Sequence, residues 1–346
     1  MTHRTLRQQF TGLGLLLIML CLLGIGYIHL RNTGSAREPT TVPSLTAIRF
    51  STESTHLEAL LKQQGIKAAF SYASDNIAKD PSFAKSCHPL LHELGNVAYT
   101  YFGDYATAIQ YQNELCNSGY THGVVEAYFL KAPDVAQAMT QACGAKEEQS
   151  FAKWQCFHGI GHGVMLTNNK QLAPSIRLCE TLTSNFSTEA CVNGIFMEHF
   201  IVQSHGGDLP TTNPTSLRDC MDQKTTYRKT CYLYASTAYL AFHSGRYGDA
   251  IQWCGGADKN DVTTCVLGVG SAAMKDNITN PSNVQQICLQ APKAYQAYCA
   301  SGAVSMYTHY TASASAATSL CKKEFSRYRA ICEATVTDRM KELHIQ

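Results

Sequence analysis

Twelve cysteines between residues 143 and 332 fall into six short-range pairs: Cys143 with Cys156, Cys179 with Cys191, Cys220 with Cys231, Cys254 with Cys265, Cys288 with Cys299, and Cys321 with Cys332. Ten residues separate the partners in the last four pairs, and twelve and eleven in the first two. Between the second cysteines the steps are 35, 40, 34, 34 and 33 residues, the period of a stacked helical hairpin. Such a chain is confined to a run of similar thin layers, each touching mainly its neighbours. Cys87 and Cys116 extend the series towards the N-terminus, and their pairing with each other is the simplest expectation.

Each unit has a readable plan. Helix A is expected to begin at the second cysteine, as in CVNGIFMEHF at 191, CVLGVGSAAM at 265 and CASGAVSMYT at 299. A polar turn follows, and helix B ends at the next first cysteine, as in GRYGDAIQWC at 245–254. A disulfide then clamps one hairpin to the next, and closing so short a loop contributes about 3 kcal/mol by the chain-entropy estimate. Zinc is the alternative use of these cysteines, but zinc sites favour Cys-x2–4-Cys spacing. The expected fold is all-α, an α-solenoid of seven to eight helical hairpins over residues 56–346.

Gly103-Asp104-Tyr105-Ala106-Thr107-Ala108-Ile109 and Gly245-Arg246-Tyr247-Gly248-Asp249-Ala250-Ile251 resemble the turn and helix-B opening of tetratricopeptide and Sel1-like repeats, and Leu267-Gly268 resembles their helix-A pair. The likeness extends as a period over about residues 66 to 346, particularly to the cysteine-rich secreted kind, and departs from the pattern in cysteine spacing and in the usual aromatic and proline positions. It implies an α-solenoid and, since such families are mostly interaction scaffolds, a protein or peptide partner in a concave groove.

The compartment follows from the N-terminus. Residues 11–30, TGLGLLLIMLCLLGIGYIHL, are long and apolar enough to cross a bilayer, and Arg4 and Arg7 precede them. The expectation is an uncleaved anchor over 1–31 with a cytoplasmic N-terminus, a flexible stalk over 32–55 rich in Thr, Ser, Pro and Arg, and a repeat domain outside the cytoplasm. A cleaved signal peptide is the rival. With Cys21 inside the apolar run, 14 of the 15 cysteines remain, an even number suited to disulfides in an oxidising compartment. The net charge of +2 without a basic run argues against nucleic-acid binding.

The repeats differ in one respect. The sixth residue after each helix-A cysteine is His122, His162, Met197, Thr237, Ser271, Ser305 and Asp338 in turn, and in the first repeat His92 comes at the fifth. His88 and His92, His158 and His162, and His122 and Glu126 are spaced i, i+4, so each pair shares a helical face. Met197-Glu198-His199 brings a carboxylate and an imidazole to the fourth repeat. Such pairs offer two ligands to one ion, and a mixed imidazole and carboxylate set suits Zn(II), Fe(II) or Cu(II) rather than Ca(II) or Mg(II).

Two arrangements stand open. One is a single site at His122, His158 and His162; the other is a pair of sites, the first from His88, His92, His122 and Glu126 and the second from His158, His162, Glu198 and His199. This gives a histidine-bearing half over 56–200 and a structural half over 201–346. If an ion keeps an open position, Glu126 or Glu198 is the candidate general base. Non-covalent haem on one of these imidazoles is also open, whereas the absence of Cys-x-x-Cys-His speaks against covalent haem. His205, His243 and His309 read as ordinary structural histidines. Gly119, Gly123, Gly159, Gly161 and Gly163 each cost about 1 kcal/mol against alanine in a helix, which points to close helix approach or to space beside the histidines.

Overall fold

A computed structural model of the chain describes residues 45–77, 79–144, 150–200, 217–311 and 313–342. Every regular element among them is helical. In chain order these are α1 (Leu45–Gln64), α2 (Ile66–Ile77), α3 (Pro81–Phe102), α4 (Tyr105–Ile109), α5 (Leu115–Lys131) and α6 (Val135–Ala142). Then come α7 (Phe151–Thr167), α8 (Leu172–Cys179), α9 (Asn185–Phe200), α10 (Arg218–Met221), α11 (Thr225–Phe242) and α12 (Tyr247–Cys254). The series ends with α13 (Val262–Asp276), α14 (Ser282–Leu289), α15 (Lys293–Thr311), α16 (Ala314–Lys323) and α17 (Arg329–Glu342).

From α3 onward long helices alternate with short ones, which are the A and B helices of the sequence pattern. The turns explain the alternation. Gly103, at φ +80°, ends α3, and the Asp104 carboxylate accepts from Thr107 N–H to start α4. Asp80, Asp134, Ser150 and Ser313 cap α3, α6, α7 and α16 in the same way.

All seven expected bridges are present, with Cα–Cα distances of 5.4–5.7 Å. Cys87 is joined to Cys116, Cys143 to Cys156, Cys179 to Cys191, Cys220 to Cys231, Cys254 to Cys265, Cys288 to Cys299, and Cys321 to Cys332. Seven bridges belong to an oxidising, extracytoplasmic setting.

The helix starts differ from the sequence reading. The helix-A cysteine lies within the first two turns of its helix rather than at its first residue: Cys231 follows the start of α11 at Thr225, Cys265 that of α13 at Val262, Cys299 that of α15 at Lys293, and Cys332 that of α17 at Arg329. The residues before each cysteine are already helical because the turn that starts the helix lies upstream of the disulfide, as Ser150 does for Cys156 in α7. In α7 the staple thus lies inside the first turns of a helix that Ser150 begins.

The A helices pack in sequence, α3 on α5, α5 on α7, α7 on α9 and so on to α15 on α17, a solenoid-like succession. Glycines set the spacing. A Cβ on Gly123 would stand 1.9 Å from His92 O, and one on Gly161 2.1 Å from Cys191 O, so these helices touch backbone to backbone. Close approach thus accounts for both residues.

The array also curls upon itself. α3 and α5 touch α13 and α15, and Lys85 pairs with Asp276 at 3.0 Å. An elongated stack with an open groove would lack these contacts. The inward side is a chamber.

The described part of the expected stalk is helical. Residues 45–55, assigned to the stalk, belong to α1, whose Leu57 and Leu61 are buried in the core. The apolar run at 11–30 and the stalk before residue 45 lie outside the described residues, as does His205. Among the described residues no helix is long and apolar enough to cross a membrane.

Candidate metal centre

Five imidazoles meet where α3, α5 and α7 face the axis. His88 and His92 come from α3, His122 from α5, and His158 and His162 from α7, all at most 5% exposed. Their ring centroids stand 4.6–5.4 Å apart in a connected set. Two triads present nitrogens within 4.8 Å of one another, His88 with His92 and His122, and His122 with His158 and His162. His122 belongs to both, so the two arrangements read from the sequence merge into one cluster.

Hydrogen bonds fix which nitrogen each ring offers. His88 Nδ1 lies 2.7 Å from the carbonyl oxygen of Cys116, and a carbonyl only accepts, so Nδ1 carries the proton and Nε2 the lone pair. His92 Nδ1 donates to Glu126 Oε2 at 3.1 Å, which again leaves Nε2 as the base. His122 Nε2 donates to Gln155 Oε1 at 3.0 Å, and the Gln155 amide is set by its own donation to Asn117 Oδ1 at 3.3 Å. His88 Nε2, His92 Nε2 and His122 Nδ1 are therefore buried lone pairs without a hydrogen-bond partner.

The second triad is better satisfied. His162 Nδ1 donates to Glu198 Oε2 at 3.0 Å, and His162 Nε2 faces His158 Nε2 at 3.1 Å. Two nitrogens held about 2.0–2.1 Å from one zinc at a tetrahedral angle stand roughly 3.3 Å apart, so this separation suits a shared ion as well as a hydrogen bond. Met197 Sδ lies 3.3 Å from His158 Nε2.

Backbone strain supports the arrangement. Cys116, Asn117 and Ser118 at the head of α5 have φ of 52°, 56° and 59°, three successive non-glycine residues in the left-handed region. Each costs of order 1–2 kcal/mol. The turn aims the Cys116 carbonyl at His88 and the Asn117 side chain at Gln155. A second left-handed pair, Asn169 and Lys170, brings the Lys170 ammonium to 3.7 Å from Glu198.

Burial pushes His88, His122 and His158 well below the usual imidazole value, and neighbouring imidazoles add to the shift. These rings are neutral at pH 7, the state that binds metal.

Glu126 and Glu198, expected as ligands or general bases, lie at the Nδ1 edges and join neither triad. Their place is behind the rings. His199 is turned away from the cluster, because one residue along a helix is about 100° of rotation, and it packs edge-on against Phe200 at 4.6 Å. The disulfide cysteines, Cys231, Cys265, Cys299 and Cys332 of the later repeats among them, join neither triad, since their sulfurs are already bonded to one another in pairs. Gln155, Asn117 and the Cys116 carbonyl carried no sequence signal. Met197 did, since it stands at the recurring sixth position.

The three imidazole nitrogens suit a borderline transition metal ion, whose identity the donors alone leave among Zn, Fe and Cu. Compared with known proteins, the chain matches no family model, no curated protein and no solved structure.

Proposed function

We propose that this chain is a membrane-tethered, extracytoplasmic helical-repeat protein of tetratricopeptide-like build that holds a transition metal ion in its histidine cluster. The observation that carries the reading is the convergence of three partnerless buried nitrogens, His88 Nε2, His92 Nε2 and His122 Nδ1. An unmet buried acceptor costs about 1–3 kcal/mol, and one bound ion relieves all three. The strained turn at 116–118 and the carboxylate of Glu126 hold two of the three rings in the tautomer that an ion requires. His122 has a single partnerless nitrogen, so it completes one triad at a time, and His158 and His162 with Met197 form the weaker second position. Such an ion supplies Lewis-acid activation of water or oxygen when one of its coordination positions is open.

The test is metal content of the untagged protein folded under oxidising conditions. About one equivalent is expected in the wild type and its loss in the double variant His88→Ala, His92→Ala, while Glu126→Gln lowers affinity roughly 10- to 100-fold. Absence of stoichiometric metal in the wild type, or equal metal in the double variant, sinks the reading. Partner binding that survives a chelator and spreads over all repeats would point to an envelope scaffold instead.

A further inference from the structure

The inward face does not end at the histidines. From α7 to α13 the second and sixth residues after the helix-A cysteine face inward: His158 and His162 in α7, then Asn193 and Met197, Leu233 and Thr237, Leu267 and Ser271. His88, His158 and Met197 thus form one end of a cavity of about 740 Å³ that runs on along α11, α13 and α15. Small-molecule sites measure about 300–1,000 Å³. The position that carries imidazoles in the early repeats carries the hydroxyls of Thr237, Ser271 and Ser305 in the later ones, so the same register builds both regions.

The walls have a definite chemistry. Phe151, Trp154, Phe186 and Met306 give an apolar side. Lys275, Arg339 and Lys341 supply positive charge, and no aspartate or glutamate is among the described residues of the lining. Lys275 is the key group. No ion pair or hydrogen bond holds its ammonium among the described residues, and the adjacent Asp276 is bonded to Lys85 and Tyr247. Burial pulls its pKa below the ordinary lysine value, the neighbouring Asp276 carboxylate works against that shift, and the positive charge of Lys85 adds to it. His309 Nε2, at the same wall, also lacks a partner. A partly buried ammonium facing a lining without a carboxylate favours an anionic partner.

We infer that this chamber is a binding site for an organic acid with an apolar body, whose anionic group pairs with Lys275 and whose body lies against Trp154 and Phe186. The site stands on the chamber and its charge, and does not depend on metal in the cluster.

Trp154 and Trp253 are the two tryptophans of the chain, and a Trp253→Phe background leaves Trp154 as the sole reporter. In that background the probes are 8-anilinonaphthalene-1-sulfonate and its uncharged counterpart N-phenyl-1-naphthylamine. Both are expected to bind with energy transfer from Trp154. Lys275→Met should weaken the sulfonate about tenfold and leave the uncharged probe little changed. Ser271→Phe, which narrows the chamber without adding a tryptophan, should reduce both, and laurate should displace the sulfonate where dodecanol does not. Equal affinity of the sulfonate for wild type and Lys275→Met, in variants with unchanged helical content and disulfides, overturns the assignment. Undiminished binding of both probes to Ser271→Phe does so as well.

Discussion

At the scale of single residues, titration is the most direct handle on the cluster. His88, His122 and His158 have folded values well below the usual 6.5, and His309 is pushed down to about 3 by burial, with Arg339 adding to it. A base whose folded pKa is depressed contributes stability that is present above the unfolded value and lost as pH falls towards the folded one. Metal-free protein should therefore hold a constant urea midpoint above about pH 6.5 and lose stability below it, by up to about 1.4 kcal/mol per pH unit for each such histidine. A midpoint unchanged between about pH 7.5 and 5 would contradict this. The i, i+4 histidine pairs were legible in the sequence because a helix makes that spacing a shared face. The partners that choose each tautomer were not. Cys116 contributes a backbone carbonyl, and Gln155 and Asn117 meet across 38 positions of chain, so no local pattern announces them.

At the scale of helices, the glycines and the disulfides do separable work. Gly123 and Gly161 allow backbone contact between successive A helices, and a methyl group at either would land about 2 Å from a carbonyl oxygen. Gly123→Ala is expected to lower stability by about 1–3 kcal/mol and to reduce metal content by moving His122 away from α3. Gly103→Ala is expected to cost stability for another reason, its φ of +80°, while leaving metal content intact. Urea midpoints and metal analysis of the two variants separate the effects. The bridge between Cys143 and Cys156 closes a loop with a sequence separation of 13, and replacing both residues by serine should cost about 3 kcal/mol in chemical denaturation. Element order and bridges were readable from the cysteine period, because a staple at a fixed register marks each junction. The helix starts before Cys231, Cys265, Cys299 and Cys332 were misplaced by a turn or so. Turn residues upstream of the bridge set them, and those vary from repeat to repeat where the cysteines do not.

At the scale of the whole molecule, curvature governs. It is the sum of small rotations between layers, none encoded in a short stretch of sequence, which is why repeat counting gave the succession of helices and missed the chamber. The contacts of α3 and α5 with α13 and α15 change how the protein comes apart. An open array frays from its ends, each layer leaving at its own denaturant concentration. Here the early layers lean on late ones far along the chain, so loss of either rim deprives the other of support. Unfolding should then be a single transition, the same by tryptophan emission and by circular dichroism, and the ring should open all at once rather than peel.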